Sequence, residues 1–338
     1  MKRSITKIII IAALTAANIA TAETEATRDV NAFLLLGGGA RGVALADAMV
    51  AVPTDYSAGL YNPSAIAGLE KRGVMLSHDR IFGGMQSQDA ITFAMPLDAD
   101  HSVALYGIRT TVDMLNTKNL PPDPSGRPIY DASLISKLDN SFSALGFSYA
   151  ASLLSGKFRY GATAKFIRSA WLETTAYGAG LDGGCQYEFS KKLRLGLTAR
   201  NIGTTVMRYN PETYEVAVPE VVAGLSWLKK SEYIYGSILF LYQSPNLASD
   251  IVGAGSLAAE YSIGNTLHFR VGTSPEIIGR TLTWAFTKDD IIKVEESAQN
   301  YTATCGVGLN LGRAVADVAF RFHPDFPMST RFTLGLVF

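Results

Sequence analysis

From about residue 72 to the C-terminus, apolar side chains alternate with small, polar or charged ones in segment after segment, and this period of two constrains the fold more than anything else in the chain. Tyr177, Ala179, Leu181, Cys185, Tyr187 and Phe189 share one parity; Gly178, Gly180, Asp182, Gly184, Gln186 and Glu188 share the other. Leu193, Leu195, Leu197 and Ala199 alternate in the same way with Arg194, Gly196, Thr198 and Arg200. Only a pleated strand sends every second side chain to one face. Fourteen segments follow the pattern, with cores near 72–79, 89–96, 102–109, 142–153, 158–168, 176–189, 193–202, 219–228, 233–242, 254–263, 267–274, 300–311, 314–322 and 331–338. The alternation is poor in 102–109 and 233–242, so their facing stays open. Residues 280–287 are also strand-like and read as an extension into the loop before the twelfth strand.

The joins alternate in length. Ser155-Gly156, Ser190–Lys192, Gly264–Thr266 and Gly312-Arg313 are tight-turn chemistry, whereas 110–141, 203–218 and 275–299 are long. Tight turns at one end and mostly long loops at the other describe a membrane-spanning barrel with an even strand number. A soluble sandwich has no reason to sort its loops in this way. The last segment alternates through Phe332, Leu334 and Leu336 to a C-terminal Phe338, resembling the terminal strand by which outer-membrane barrels are recognised for assembly.

Turn placement also predicts register. A three-residue turn at Gly264–Thr266 sets Glu260 opposite Arg270. One at Ser190–Lys192 sets Glu188 opposite Arg194 and Asp182 opposite Arg200. Three acid–base pairs on the polar parity, each worth about 0.2–1 kcal/mol, identify that face as a wet lumen; the alternative is coincidence among charges. Cys185 and Cys305 fall on the apolar parity and read as small lipid-facing hydrophobes.

Residues 1–22 have the three parts of a secretory leader: cations at Lys2, Arg3 and Lys7, an apolar run from Ile8, and Ala20-Thr21-Ala22 before a predicted cleavage. The apolar run is too short for a spanning helix, which needs about 20 residues. Cleavage would leave 27 basic and 30 acidic side chains, a net charge of −3, which excludes a strongly basic nucleic-acid binder. His78, His101, His268 and His323 are scattered without metal-ligand spacing, and two cysteines cannot build a four-ligand zinc site. No cofactor or metal is expected.

Residues 23–71 do not alternate. Ala40–Val52 has helix-like composition, and the stretch from Asp55 to Ala65 reads as a turn into a second short helix that starts near Pro63. Ala40-Arg41-Gly42, followed by Asp55-Tyr56-Ser57-Ala58 and Asn62-Pro63, resembles the start of the FadL/PorV-type outer-membrane barrel superfamily, with Ser64 in place of the common Ala. The resemblance implies a 14-stranded antiparallel barrel whose partly helical N-terminal segment folds into the lumen as a plug. In the FadL branch it implies uptake of long-chain fatty acids or other hydrophobic compounds; in the PorV branch, a component of type IX protein secretion. Arg41, Asp55, Asn62 and Pro63 are the plug residues it singles out, as structural or gating groups. A barrel of this size has a lumen too wide for wall side chains alone to fill, and Phe33–Leu36 would be costly unless buried there.

An enzymatic reading competes. Leu34–Gly42 looks like the oxyanion-hole segment of patatin-like lipases, and Asp182-Gly183-Gly184 like their Asp-Gly-Gly element. That family needs a Gly-x-Ser-x-Gly elbow, and the nearest stretch, around Ser148, lacks the second Gly and lies inside an alternating strand. The expectation is therefore a non-enzymatic, monomeric channel in the outer membrane of a diderm bacterium: leader 1–22, plug 23–71, barrel 72–338. Its expected partners are membrane lipid, a hydrophobic small molecule and the barrel-assembly machinery, with secretion proteins in the PorV-like alternative.

Overall fold

The computed structural model describes residues 28–338 except 173, 203–204, 211–212, 218, 232–235, 245–246, 248–254 and 277–299. The leader and the strand-like 280–287 lie outside the described residues. The strands are β1 (Gly73–Ile81), β2 (Gln86–Pro96), β3 (His101–Asn116), β4 (Ser136–Leu153), β5 (Phe158–Trp171), β6 (Thr174–Ser190), β7 (Leu193–Arg200), β8 (Thr205–Asn210), β9 (Thr213–Ala217), β10 (Glu220–Ser231), β11 (Gly236–Gln243), β12 (Ser256–Ile263), β13 (Leu267–Glu276), β14 (Asn300–Leu311), β15 (Ala314–Phe322) and β16 (Ser329–Val337).

All but β8 and β9 form one closed ring of fourteen antiparallel strands, in which each pairs with the next and β16 returns to β1. Each of the fourteen alternating segments supplies one strand of the ring. β8 and β9 are an additional hairpin, set in the connection between β7 and β10 and paired to the upper part of β6. Closure leaves the ring itself no free edge, which a lipid environment demands because it offers no water to unpaired backbone groups.

The tight turns gather at one end. Gly156, Gly264 and Gly312 there hold positive φ. Two connections at the other end are also short, at 82–85 and 172–173. The parities separate as the alternation predicts. Leu145 and Leu334 are 61% and 64% exposed on the outer face, while Gln88 and Arg331 are 2% and 1% exposed within. The apolar exterior and polar interior make the wall a transmembrane barrel.

The N-terminal segment runs inside this wall. It comprises a 3-10 stretch (Arg28–Leu36), a five-residue helix α1 (Ala40–Ala44), and 3-10 turns at Ala58–Leu60 and Pro63–Gly68. The helix expected over Ala40–Val52 stops at Ala44. Ala46 and Asp47 adopt left-handed φ of 51° and 57°, breaking the helix and letting Asp47 reach Arg321 of β15. The buried residues of 40–67 form apolar clusters with the wall, so the barrel has no hollow core in this region.

Candidate functional site: the plugged lumen

The plug is held by side chains reaching inward from the wall and by its own polar residues reaching outward. Asn62, fully buried, caps the Pro63–Gly68 turn: its Oδ1 accepts from Ser64 N at 3.1 Å and from Ser64 Oγ at 2.7 Å. Its Nδ2 donates to Val50 O at 2.8 Å. Pro63 occupies the first helical position, where a missing N–H costs nothing. Two wall glycines permit this contact. A Cβ on Gly184 would stand 2.0 Å from Asn62 Oδ1, and one on Gly196 2.2 Å from Val50 O. From β6 and β7, Gln186 Nε2 donates to Val50 O and Val52 O at 3.0 and 2.8 Å, and Arg194 to Pro53 O at 2.9 Å.

Arg41 is the main ionic tether. Its Nε and Nη2 donate to Glu260 of β12 at 2.9 and 3.0 Å, and its Nη1 to Asp55 at 3.0 Å. Burial opposes the charge on Arg41, but Glu260 and Asp55 outweigh it and raise the guanidinium pKa above its ordinary value. Glu260 also accepts from Arg270 at 2.6 Å, and Arg270 in turn pairs with Asp317. Tyr61 donates to Asp47 at 3.2 Å, beside the Asp47–Arg321 pair.

The segment 36–40 sits on the seam between β1 and β16. Ser77 of β1 donates to Gly38 O at 2.8 Å, Arg331 of β16 to Leu36 O at 2.9 Å, and Ala40 N to Thr333 Oγ1 of β16 at 2.8 Å. Across the same seam Arg331 pairs with Asp79 at 2.9 Å, and Ser77 bonds Thr333 at 2.8 Å.

The structure sets Glu260 opposite Arg270 and Glu188 opposite Arg194, and each pair is bonded. Asp182 and Arg200 are not partners, which corrects the expectation. Asp182 takes Lys165 at 2.7 Å, and Arg200 takes Glu220 at 3.4 Å. The reason is geometric. Thr163 lies directly opposite Asp182 on the other side of β6, so Lys165 is a diagonal neighbour with a stem long enough to reach it, and Glu220 lies directly opposite Arg200 on β10. Turn chemistry could not reveal the first contact, because the β5–β6 connection carries Leu172 at φ 54° rather than a glycine.

The groups an enzyme would use are engaged elsewhere. Ser148 bonds Thr163 at 2.7 Å within the wall, and Asp182 is held by Lys165 and by Asn201 N. The histidines are dispersed. His268 lies between Ser262 and Asn310, His101 bonds Asp98 in a tight turn, His323 packs on Phe82 and Phe326, and His78 faces outward with Asp89. Cys185 and Cys305 are unbridged. Among the described residues no metal-holding cluster is present.

Toward the long-loop end the lumen holds an apolar cluster beside buried polar residues such as Gln88 and Thr110. Phe33 is buried with Ala90, Tyr106, Ile108, Ile167 and Met207, and stacks on Phe142 at 5.7 Å, which stacks in turn on Trp171. A residual cavity of about 20 Å³ adjoins it, bordered by Leu34, Leu60, Lys165, Asp182, Arg200 and Glu220. Asn31 bonds Asn201 at 2.9 Å at its edge.

No protein-family model matches the chain, and no curated protein matches it. Solved structures do. The Ralstonia pickettii toluene transporter TbuX aligns at 13% identity and a TM-score of 0.58, covering 90% of this chain and 100% of that one. The monoaromatic hydrocarbon channel CymD aligns at 12% and 0.57, covering 90% and 98%. A Pseudomonas aeruginosa FadL homologue aligns at 13% and 0.54, covering 89% and 98%. The first two are transport proteins by name. In fold, this chain is a FadL-type plugged fourteen-stranded barrel.

Proposed function

We propose that the protein is an outer-membrane channel for passive uptake of hydrophobic small molecules. The observation that carries this reading is the apolar chamber near the long-loop end, occupied by Phe33 of the chain's own plug. A wet lumen gains nothing from an apolar chamber unless something apolar fills it, and here the filler belongs to a segment with only short, locally folded turns. An incoming hydrophobic compound replaces Phe33, and the plug shifts to admit it below. The charged groups at the chamber's edge are balanced, Lys165 against Asp182 and Arg200 against Glu220. That arrangement suits uncharged compounds better than ionised fatty acids, and it agrees with the hydrocarbons named for two of the structural neighbours. No nucleotide or metal enters this mechanism.

Phe33→Ala tests it. The substitution vacates aromatic volume at a cost of about 3 kcal/mol and should increase binding of a neutral probe such as 1-N-phenylnaphthylamine to the purified protein. Ile167→Arg should close the chamber and abolish toluene entry into cells expressing the protein. Equal uptake by wild type and Ile167→Arg would refute the assignment.

A further inference from the structure

The long-loop end of the lumen holds a polar group that its present packing leaves unused. Asn140 stands on the inward parity of β4, in one column with Phe142 and Ala144. It is fully buried. Val112 of β3 lies opposite it. On β5, Ala170 faces Ser141, and the same register carried one residue further sets Trp171 on the other side of Asn140. Asn140 therefore adjoins the aromatic stack that runs from Phe33 through Phe142 to Trp171, with 5.7 Å between successive rings.

The two ends of its amide have different fates. Oδ1 accepts from Leu172 N at 2.7 Å, and because only the oxygen can accept, the amide is fixed with Nδ2 on the other side. Leu172 has a left-handed φ of 54°, so this bond supports the β5–β6 turn and accounts for the oxygen. It does not account for the nitrogen. Nδ2 is buried and has no partner, although nearly all buried polar groups find one. Nearby, Gln88 Nε2 is already spent on Phe33 O and Thr110 Oγ1, each at 3.2 Å. Other unpartnered atoms have simpler accounts. The Nε atoms of Arg159, Arg200 and Arg321 belong to guanidinium groups bonded through Nη, and Asp79 Oδ1 to a carboxylate bonded through Oδ2. Thr92 Oγ1 is a rotatable hydroxyl in the row of Tyr106 and Gly146, two inward rows from Phe142.

Phe33 has no acceptor on its ring to offer Nδ2. A ligand ring that replaces Phe33 against Phe142 can carry one. Asn140 is two strand residues from Phe142, about 7 Å, a span that one ring substituent and one hydrogen bond cover. We propose that Asn140 Nδ2 is a specificity-determining donor, selecting uncharged aromatic compounds that bear a hydrogen-bond acceptor, such as aryl ketones, over hydrocarbons of the same shape. A site built to bond an oxygen disfavours the analogue without it, because its own donor then stays buried and unpaired. The inference rests on the uptake reading for the existence of the site, and goes beyond it in naming the polar group the ligand carries.

The test is displacement of 1-N-phenylnaphthylamine from the full-length protein in detergent by acetophenone and by ethylbenzene, which differ by a carbonyl in place of a methylene. Each affinity is corrected for the compound's partition into the detergent alone. The wild type should favour acetophenone about tenfold. Asn140→Asp at alkaline pH keeps an acceptor for Leu172 N but has no donor, and Asn140→Ala has neither; both should abolish the preference. The ratio is the discriminating readout, since a purely structural role for Asn140 would weaken both compounds alike and leave it unchanged. Variants are compared at unchanged heat-modifiable gel mobility, which reports a closed barrel. Equal binding of the two compounds by the wild type, or a preference that survives in the variants, would overturn the assignment and leave the uptake reading standing. Failure of both compounds to displace the probe from the wild type would overturn the two together.

Discussion

Inside a barrel filled by its own plug, a charged side chain has little water to turn to and must find a protein partner. Arg41 solves this with Glu260 and Asp55, and Glu260 extends the chain of charges to Arg270 and Asp317. Arg41→Gln should therefore cost about 3 kcal/mol, by removing a cation that ties the plug to β12. The checks are a lower heat-modification midpoint and greater ion conductance in planar bilayers; unchanged values for both would show that the tether does not hold the plug. The pairs at Glu260 and Glu188 were legible in the sequence because a tight turn fixes the count on either side of it. Asp182 misled because a long lysine reaches diagonally, and the turn that would have placed Lys165 bears no glycine signature. Arg321 and Arg331 gave no sequence signal of their roles. Their partners, Asp47 and Asp79, lie more than 250 residues away, in the plug and on the first strand of the ring.

At the scale of elements, all fourteen wall strands could be read because lipid on one side and a polar lumen on the other impose opposite demands on alternate residues. The pattern fades where that contrast ends. The outer ends of β3 and β4 pair as far as Asn116 and Ser136, beyond the alternating cores, with Leu115 60% exposed and Lys137 also exposed. The β8–β9 hairpin lay unseen within a connection expected to be loop. The plug was harder still. Its turns are too short to show periodicity, and its conformation is set by contacts with the wall. Asn62 is the clearest case, a residue visible as a motif whose work is to cap one turn and hold the carbonyl of another. Asn62→Ala should cost about 1–2 kcal/mol through the lost cap. It should also speed amide exchange selectively over 64–68, read by hydrogen–deuterium exchange; uniform exchange along the plug would argue against a local role.

For the whole molecule, the proposed transport through so full a lumen requires the plug to move. Ala44 of α1 and Ala319 of β15 are both fully buried in one cluster. A disulfide between Ala44→Cys and Ala319→Cys should stop hydrophobic uptake when oxidised and restore it on reduction. Uptake that persists in the oxidised protein would mean that the path bypasses α1.

The seam where the ring closes has a consequence for how the protein is made. The backbone of Leu36, Gly38 and Ala40 is held by Arg331, Ser77 and Thr333, which belong to the first and last strands of the ring. The residues that join the two ends of the wall are thus also those that grip the plug. Zipping the cylinder shut and seating its stopper share the same bonds, so neither step can be completed in full without the other.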